Sequence, residues 1–455
     1  MTADALEFEP SAAMLGAALD ELDDLGAAGG GAIDVTVRRA AFAAYVARAA
    51  ERERFPARWR HDYATLRFDD LRWSSGRMRV PALPRHVPGR RDAADGGGDA
   101  PALAVENAGG LVHLGSIFLE PERRAGDPRV TLLALADARR TLRPRVDDLA
   151  GAIVPLDTDR FTALATAFQN CGAYVEIPAD VEVDAPLQLV WASRPGEASA
   201  VFSHTLVRVG ANARATIVER HVGSAESFVC GIVEVELAAG AQLDYVVVQN
   251  ADEGARVILT RGARCGTGAR LGWHVADLGG ALVRTTHATR LGHERAEAAL
   301  NALFFARGFG HVDLRADVEH RASATRSRTI VRGVATGRGQ ARVRGAIEIR
   351  AGTHGCDATL RADALVLSRD AYVEATPSLD IGANDVSAQH AATVGALDEE
   401  QLFYVQSRGI ARGRAERMIA LAFFEPAISR FPSEALRDEV RTALDADLDE
   451  VPETF

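Results

Sequence analysis

The sequence predicts a mainly β protein, a core of many short strands between helical regions at its two ends. Three observations predict it. From about Phe161, apolar residues recur at every second position for over about 200 residues, with Gly- or Asp-bearing turns and no amphipathic helix between the runs. That pattern excludes βαβ winding and leaves a sandwich, a propeller or a β-solenoid. Strand-end Gly-Ala pairs at Gly210-Ala211, Gly240-Ala241 and Gly268-Ala269 stand 30 and then 28 residues apart. A period of that size suits a solenoid, in which each coil buries its face against its neighbours. Both ends of the chain carry helical spacing instead.

In chain order, residues 1–155 form the N-terminal helical or mixed region. Ile33 to Arg54 puts Val37, Ala41, Tyr45 and Ala49 on one helical stripe, behind the breaker Gly29-Gly30-Gly31. Residues 84–102 hold Pro, Gly, Asp and Arg without periodicity and read as a mobile surface loop. Residues 103–155 mix short apolar runs with an Arg-rich helical stretch around Leu132–Arg143.

The β core follows over 156–396. In Ile232–Leu237, Val233, Val235 and Leu237 point one way, and Glu234 and Glu236 the other. Leu314, Ala316 and Val318 alternate with Arg315, Asp317 and Glu319. Val343, Gly345, Ile347 and Ile349 alternate with Arg344, Glu348 and Arg350.

Residues 397–455 turn helical. Asp398 is placed as an N-cap with Gln401 at N3, and Gly409 suits the position past the helix end. A second helix starts near Arg414 with Met418, Ile419, Ala422 and Phe423 inward, and Pro426 is expected to kink or end it. Ser433 caps a last helix with Leu436, Val440 and Leu444 on one face.

Composition narrows the function. All 52 basic residues are arginine, and 63 acidic residues leave a net charge of −11. Without lysine there is no P-loop, no kinase strand lysine and no amine nucleophile for Schiff-base chemistry. An acidic total argues against nucleic-acid binding. No apolar run reaches membrane-spanning length, no leader pattern opens the chain, and the four cysteines lie far apart. These features point to a cytoplasmic protein with isolated thiols. Charged residues at 25% and apolar ones at 47% are ordinary for a globular chain of two to four domains.

The common catalytic motifs are absent: no G-x-S-x-G, no H-E-x-x-H and no EF-hand loop. His287 and His293 bracket a turn and read as a solvated strand end. His320 falls on an inward phase and reads as a core histidine with a backbone partner. Cys356 reads as a small buried hydrophobe, and Glu399 with Glu400 as a solvated first helical turn.

One segment is far more specific. Pro377–Phe424 reads PSLDIGANDVSAQHAATVGALDEEQLFYVQSRGIARGRAERMIALAFF. It closely resembles the signature of the SufB/SufD family of iron–sulfur cluster assembly proteins. Pro377, Leu379, Ile381, Asp385, Val386, His390, Ala392, Thr393, Gly395, Phe403, Tyr404, Ser407, Arg408, Gly409 and Ile410 carry the likeness. Phe161–Leu189, His311-Val312-Asp313 with Val318-Glu319-His320, and Pro56–Arg60 agree more loosely, so the resemblance covers about residues 55–445.

The resemblance implies a right-handed parallel β-helix between helical flanks. It also implies the SufD type, because the residue after the Phe-Tyr pair is Val405 where the SufB type has a cysteine. His390 is then expected to contact a nascent iron–sulfur cluster at a partner interface, a mixed Cys/His site whose thiolates come from the partner. Ala388 stands where many SufD proteins have cysteine, and the polar run before the final strands is replaced by Thr359–Ala364. The implied partners are a SufB-like subunit, met through the β-helix, and a SufC-like ATPase docked by the C-terminal helices. Phe403, Tyr404, Arg408, Gly409, Met418, Ile419 and Phe423 are the expected partner-binding residues. No tightly bound cofactor is expected, only a transient Fe–S cluster. Reduced flavin, which some complexes of the family are thought to bind, is assigned no residue here. The chain is thus expected to be a non-catalytic scaffold. The alternatives are a divergent structural paralogue without cluster chemistry, or a β-helix polysaccharide-active enzyme, against which the 6% aromatic content argues.

Overall fold

Alternating side chains need a second sheet to bury against, and here each coil of the chain supplies one strand to each of two parallel sheets. The computed structural model describes residues 19–20, 33–49, 109–114, 117–119, 127–193, 199–225 and 227–449. Sheet A runs from β18 (Tyr372–Ile381) through β16 (Gln340–Ile349), β14 (His311–His320), β12 (Leu282–Leu291) and β10 (Arg256–Cys265). It continues through β8 (Ser227–Leu237), β6 (Ser199–Val209) and β4 (Cys171–Ile177) to β3 (Thr131–Ala134). Sheet B runs from β19 (Val386–Gly395) through β17 (Cys356–Val366), β15 (Arg326–Ala335), β13 (Glu297–Ala306) and β11 (Arg270–Asp277). It continues through β9 (Gln242–Gln249), β7 (Arg214–Val222), β5 (Leu187–Ala192) and β1 (Gly109–Leu114) to β2 (Ile117–Leu119). All neighbours are parallel except β1 with β2 and β3 with β4, which close the N-terminal end. The result is a parallel β-solenoid of about eight turns.

The period read from the Gly-Ala pairs is the coil. Gln242 pairs with Arg270, 28 residues on, and Leu282 with His311, 29 residues on. The stacked turns share one left-handed residue each: Asp180, Asn212, Gly240, Gly268, Arg295, Ala324 and Gly355, all with φ between 55° and 68°. Each of these residues donates its N–H to the turn of the next coil, as in Asn212 to Ala239 and Gly240 to Thr267. The first Gly-Ala pair was therefore two residues out of register, because Asn212 fills the left-handed position there. Asn tolerates it through its short polar side chain.

The interior is a column of apolar side chains, with Val257, Leu259 and Ala263 of β10 facing Leu271, Trp273 and Val275 of β11. The Phe304 ring packs against Gly333 on the neighbouring strand, where a Cβ would sit 1.9 Å from its Cζ.

Helices cover the outer faces. α1 (Val35–Ala49) packs through Ala41 and Tyr45 on α4 (Arg160–Ala167), and both cover Phe202, Phe228, Ile232 and Ile258 of sheet A. α2 (Leu135–Thr141) and α3 (Arg143–Leu149) precede them. α5 (Glu399–Gln406), α6 (Arg412–Ile428) and α7 (Glu434–Asp449) follow the last strand, and α6 and α7 cover Val218, Val246, Ala276 and Leu303 of sheet B.

Several sequence expectations change. Residues 161–167 are helical, not strand: Asp159 caps Phe161 N and Thr162 N, and Thr162 Oγ1 accepts from Asp159 N in return. Period two starts only at Cys171. The stretch 132–143 divides into β3 and α2, because Leu132–Ala134 pairs with β4. His287 is buried mid-strand rather than solvated, while His293 is exposed. His320 is a core residue, yet its partners are the Thr325 and Ser327 hydroxyls, not backbone. Cys356 is buried as expected. In α6 the buried stripe is Ala420, Phe424, Ala427 and Ile428, while Met418 and Ala422 are exposed. The helix runs two residues past Pro426 before ending. The Gly29–Gly31 breaker, Arg54 at the expected helix end, Pro56–Arg60 and the loop 84–102 lie outside the described residues.

Candidate functional site

The terminal coil is built like the others, but no further coil stacks on its far side. In β19 the register pairs His390 with Leu360, Leu360 with Thr329, and Thr329 with Leu300. Parallel partners share a face, so His390 stands on the inward phase of the solenoid, at its open end. Leu360 and Leu300 are buried, whereas His390, Val394 and Ile381 are exposed. Ala388 and Val386 stay half-buried because they rest on the small cluster of Ile347, Ile349, Cys356, Ala358 and Leu360 beneath them. The interior of the solenoid thus reaches the surface as one uncovered ring, with His390 in it.

Among the described residues no group of three or more His, Cys, Asp or Glu side chains comes together to hold a metal ion. His390 therefore has no ligand set of its own around it.

Next to this end, α5 and α6 present a second surface. Asp398 accepts from Glu400 N and Gln401 N, fixing the first turn of α5. Leu402 is the buried residue of α5, which leaves Phe403 73% and Tyr404 60% exposed. The Arg408 guanidinium stacks over Tyr404 at 5.1 Å and donates to its hydroxyl at 3.1 Å. Gly409, with φ +82°, lets the chain turn into α6, a conformation that an L side chain resists. Arg412 ties the two helices together through Glu399 and Glu416. A shallow depression between them is lined by Asp398, Glu400, Gln401, Tyr404, Val405 and Ile419.

Of the residues named from the sequence, Tyr404 and Ile419 share this depression, Phe403 and Met418 stand exposed near it, and Arg408 braces Tyr404. Phe423 is elsewhere. Arg332 of β15 lies over its ring at 4.8 Å and donates to its carbonyl at 2.8 Å, so it helps seat α6 on sheet B.

A groove on the outer face of sheet B is lined by Arg214, Arg270, Arg326 and Arg328 with Asp244, Glu297 and His274.

Two buried carboxylates escaped the sequence reading. Glu234, placed on an outer face by alternation, is fully buried and accepts from Gly151 N, Ile153 N, Val154 N and His204 Nε2. Burial alone would raise its pKa, but His204 and the backbone donors outweigh that and hold it low. Glu219 lies on the inward phase of β7, in step with Ala215 and Ile217. That period-two position directly after two apolar residues was the available signal. Its oxygens accept from Trp191 Nε1 at 2.8 Å and Tyr245 Oη at 3.1 Å. Against the upward push of burial, His221, Arg261 and Trp191 hold its pKa at about 2.

Comparison with known proteins places this architecture. Residues 192–423 match the profile described as SUF system FeS cluster assembly, SufBD core domain. The match runs from the end of β5 through the open coil into α6. An iron–sulfur cluster assembly SufBD family protein of Mycobacterium leprae is 29% identical over 58% of this chain, and the aligned stretch covers 30% of that protein's length. The iron–sulfur cluster assembly protein SufD of Bacillus subtilis is 27% identical over 64% of this chain and 68% of its own. SufB of the same organism is 27% identical over 62% of this chain and 61% of its own. SufD and SufB thus match almost equally, and among the described residues no helix is long and apolar enough to cross a membrane. With the profile spanning half the sequence and the parallel solenoid beneath it, the chain belongs to the SufBD core-domain family of the SUF iron–sulfur cluster assembly system.

Proposed function

We propose that this chain acts in iron–sulfur cluster assembly as a non-catalytic, SufD-type scaffold, pairing with a SufB-like subunit and docking a SufC-like ATPase. The observation that carries the reading is the uncovered terminal coil, whose inward ring of Val386, Ala388, His390 and Val394 ends at the surface. A partner solenoid presenting the same kind of end would cover it. Val405 in place of the SufB-type cysteine, and a lone His390, suit the subunit that adds an imidazole to thiolates held by the other chain. The cluster is then cargo, assembled at the interface.

The exposed Phe403, Tyr404 and Met418 offer the ATPase an aromatic and thioether surface held by Asp398 and Arg412. ATP hydrolysis belongs to that partner, since a chain without lysine cannot build the phosphate loop. Closure of two such ATPases would pull on α5 and α6 and shift the coil that holds His390.

Co-purification under native expression tests the scaffold reading: the chain is expected to come with a SufB homologue and an ATPase, and isolation as a lone monomer would overturn it. His390→Ala tests the ligand role separately. Normal cluster assembly in that strain would remove the cluster contact and leave the scaffold, which is the structural paralogue that Ala388 already suggests.

A further inference from the structure

The interior of the middle coils is not uniformly apolar. On the inward phase of sheet B, His221 of β7, Gln249 of β9 and Asp277 of β11 form one column. Across from them, Arg261 of β10 and His287 of β12 are register partners in sheet A. All five side chains are buried. Part of this set is satisfied. Arg261 Nη1 donates to Thr285 Oγ1 at 2.9 Å, Thr285 Oγ1 lies 3.1 Å from His287 Nε2, and Gln249 is engaged with Gly279. Arg261 Nε lies 3.7 Å from Glu219.

The rest is not. His221 Nε2, like Arg261 Nε, faces Glu219, at 3.3 Å, but both oxygens of Asp277, Nη2 of Arg261, Nδ1 of His221 and Nδ1 of His287 are buried without a hydrogen-bond partner among the described residues. Buried polar atoms are nearly always satisfied, and here donors and acceptors are orphaned together. Arg261 acts electrostatically on Asp277, yet the two share no hydrogen bond.

We propose that this is a sealed internal hydration site: ordered water lies between the Arg261 guanidinium and the Asp277 carboxyl and bridges them to His221 and His287. Water suits the group better than an ion does. Glu219 and Arg261 offset one another, so an anion would meet two carboxyl groups and a cation would meet the guanidinium. A cluster of mixed donors and acceptors satisfies a molecule that is both, at about three hydrogen bonds each. The chamber is closed toward the open end, because the Asp277 column continues to Phe304 and the His287 column to Ala316 and Gly345. Beside it, Trp191 and Tyr245 donate to Glu219, and the Trp273 ring lies 5.7 Å from that of His287. The site is independent of the partner reading above.

A crystal structure of the full chain at a resolution that orders solvent provides the direct test, with water expected within hydrogen-bond distance of both Asp277 and Arg261 Nη2. An empty space, a direct Arg261–Asp277 ion pair or density too strong for water would each overturn the proposal. Asp277→Asn and Asp277→Leu supply a second readout. If water bridges the site, the amide keeps a bridge that leucine loses, and Asp277→Leu melts at least about 2 °C below Asp277→Asn. If the chamber is dry, the leucine variant melts at or above the asparagine variant, and the proposal fails.

Discussion

Ala324 holds φ +57° in a turn column that carries glycine at Gly240, Gly268 and Gly355. A left-handed conformation costs an L residue about 1–2 kcal/mol, partly offset by the greater unfolded-state freedom of glycine. Ala324→Gly is therefore expected to stabilise the protein by about 0.5–1 kcal/mol, read as a raised denaturant midpoint. An unchanged or lowered midpoint would show that the turn is not strained there.

Asp277 makes a second residue-scale prediction. Burial lifts its pKa to about 6, even though Arg261 pulls the other way. An unfolded aspartate titrates near about 3.9. The folded state thus binds the proton more tightly, and this group's contribution to stability declines as pH rises from about 4 through 6, by up to about 3 kcal/mol. Asp277→Asn lacks that decline. Its melting temperature relative to the parent should climb between pH 4.5 and 7.5, and parallel curves would count against a buried neutral carboxyl. Glu219 has the opposite sign: held at about 2, its contribution is present above the unfolded value and fades only in strong acid.

At the scale of elements, Glu234 joins the N-terminal helical layer to the solenoid. Its carboxylate takes three backbone N–H groups from residues 151–154, at 2.6, 2.7 and 3.0 Å, together with His204. Glu234→Ala leaves those donors buried and unpaired, for a cost of about 3–5 kcal/mol. Partial proteolysis should then cut near residues 150–158 well before the β core opens, whereas uncut chain would place the anchor elsewhere. Alternation in Ile232–Leu237 was legible in the sequence and correct. What it could not show is that the outer face of β8 is covered, since α1 and α4 come from residues far away in sequence. The same limit explains α6. Its helical spacing was readable, but Arg332 and Asn301 of sheet B, which bond the Phe423 and Ala427 carbonyls, decide which face turns inward. Residues 161–167 failed differently. Phe-Thr-Ala-Leu-Ala-Thr-Ala carries apolar residues at both periods, and the Asp159 capping box settles it as helix.

Over the whole molecule, a solenoid is held coil by coil, so each coil's stability comes from its neighbours and the last coil has only one. β1 with β2 and β3 with β4 close the N-terminal end by antiparallel pairing, while β18 and β19 end the stack with their side chains largely exposed. The signature from Pro377 to Ile410 maps onto that unprotected coil and the helix after it, which is why it could be recognised without the fold. It is held by no interior of its own, so its residue types answer to what it meets. Amide hydrogen exchange should therefore rise along the solenoid toward residues 372–395 in the isolated chain, with β10 to β13 the most protected. Adding a SufB-like subunit should slow exchange in β18 and β19 specifically, and Val394→Asp should abolish that slowing without lowering the melting temperature by more than about 1 °C, since Val394 is exposed on the terminal coil. Protection that appears instead on α1 and α4, or an undiminished effect in Val394→Asp, would move the interface away from the open end.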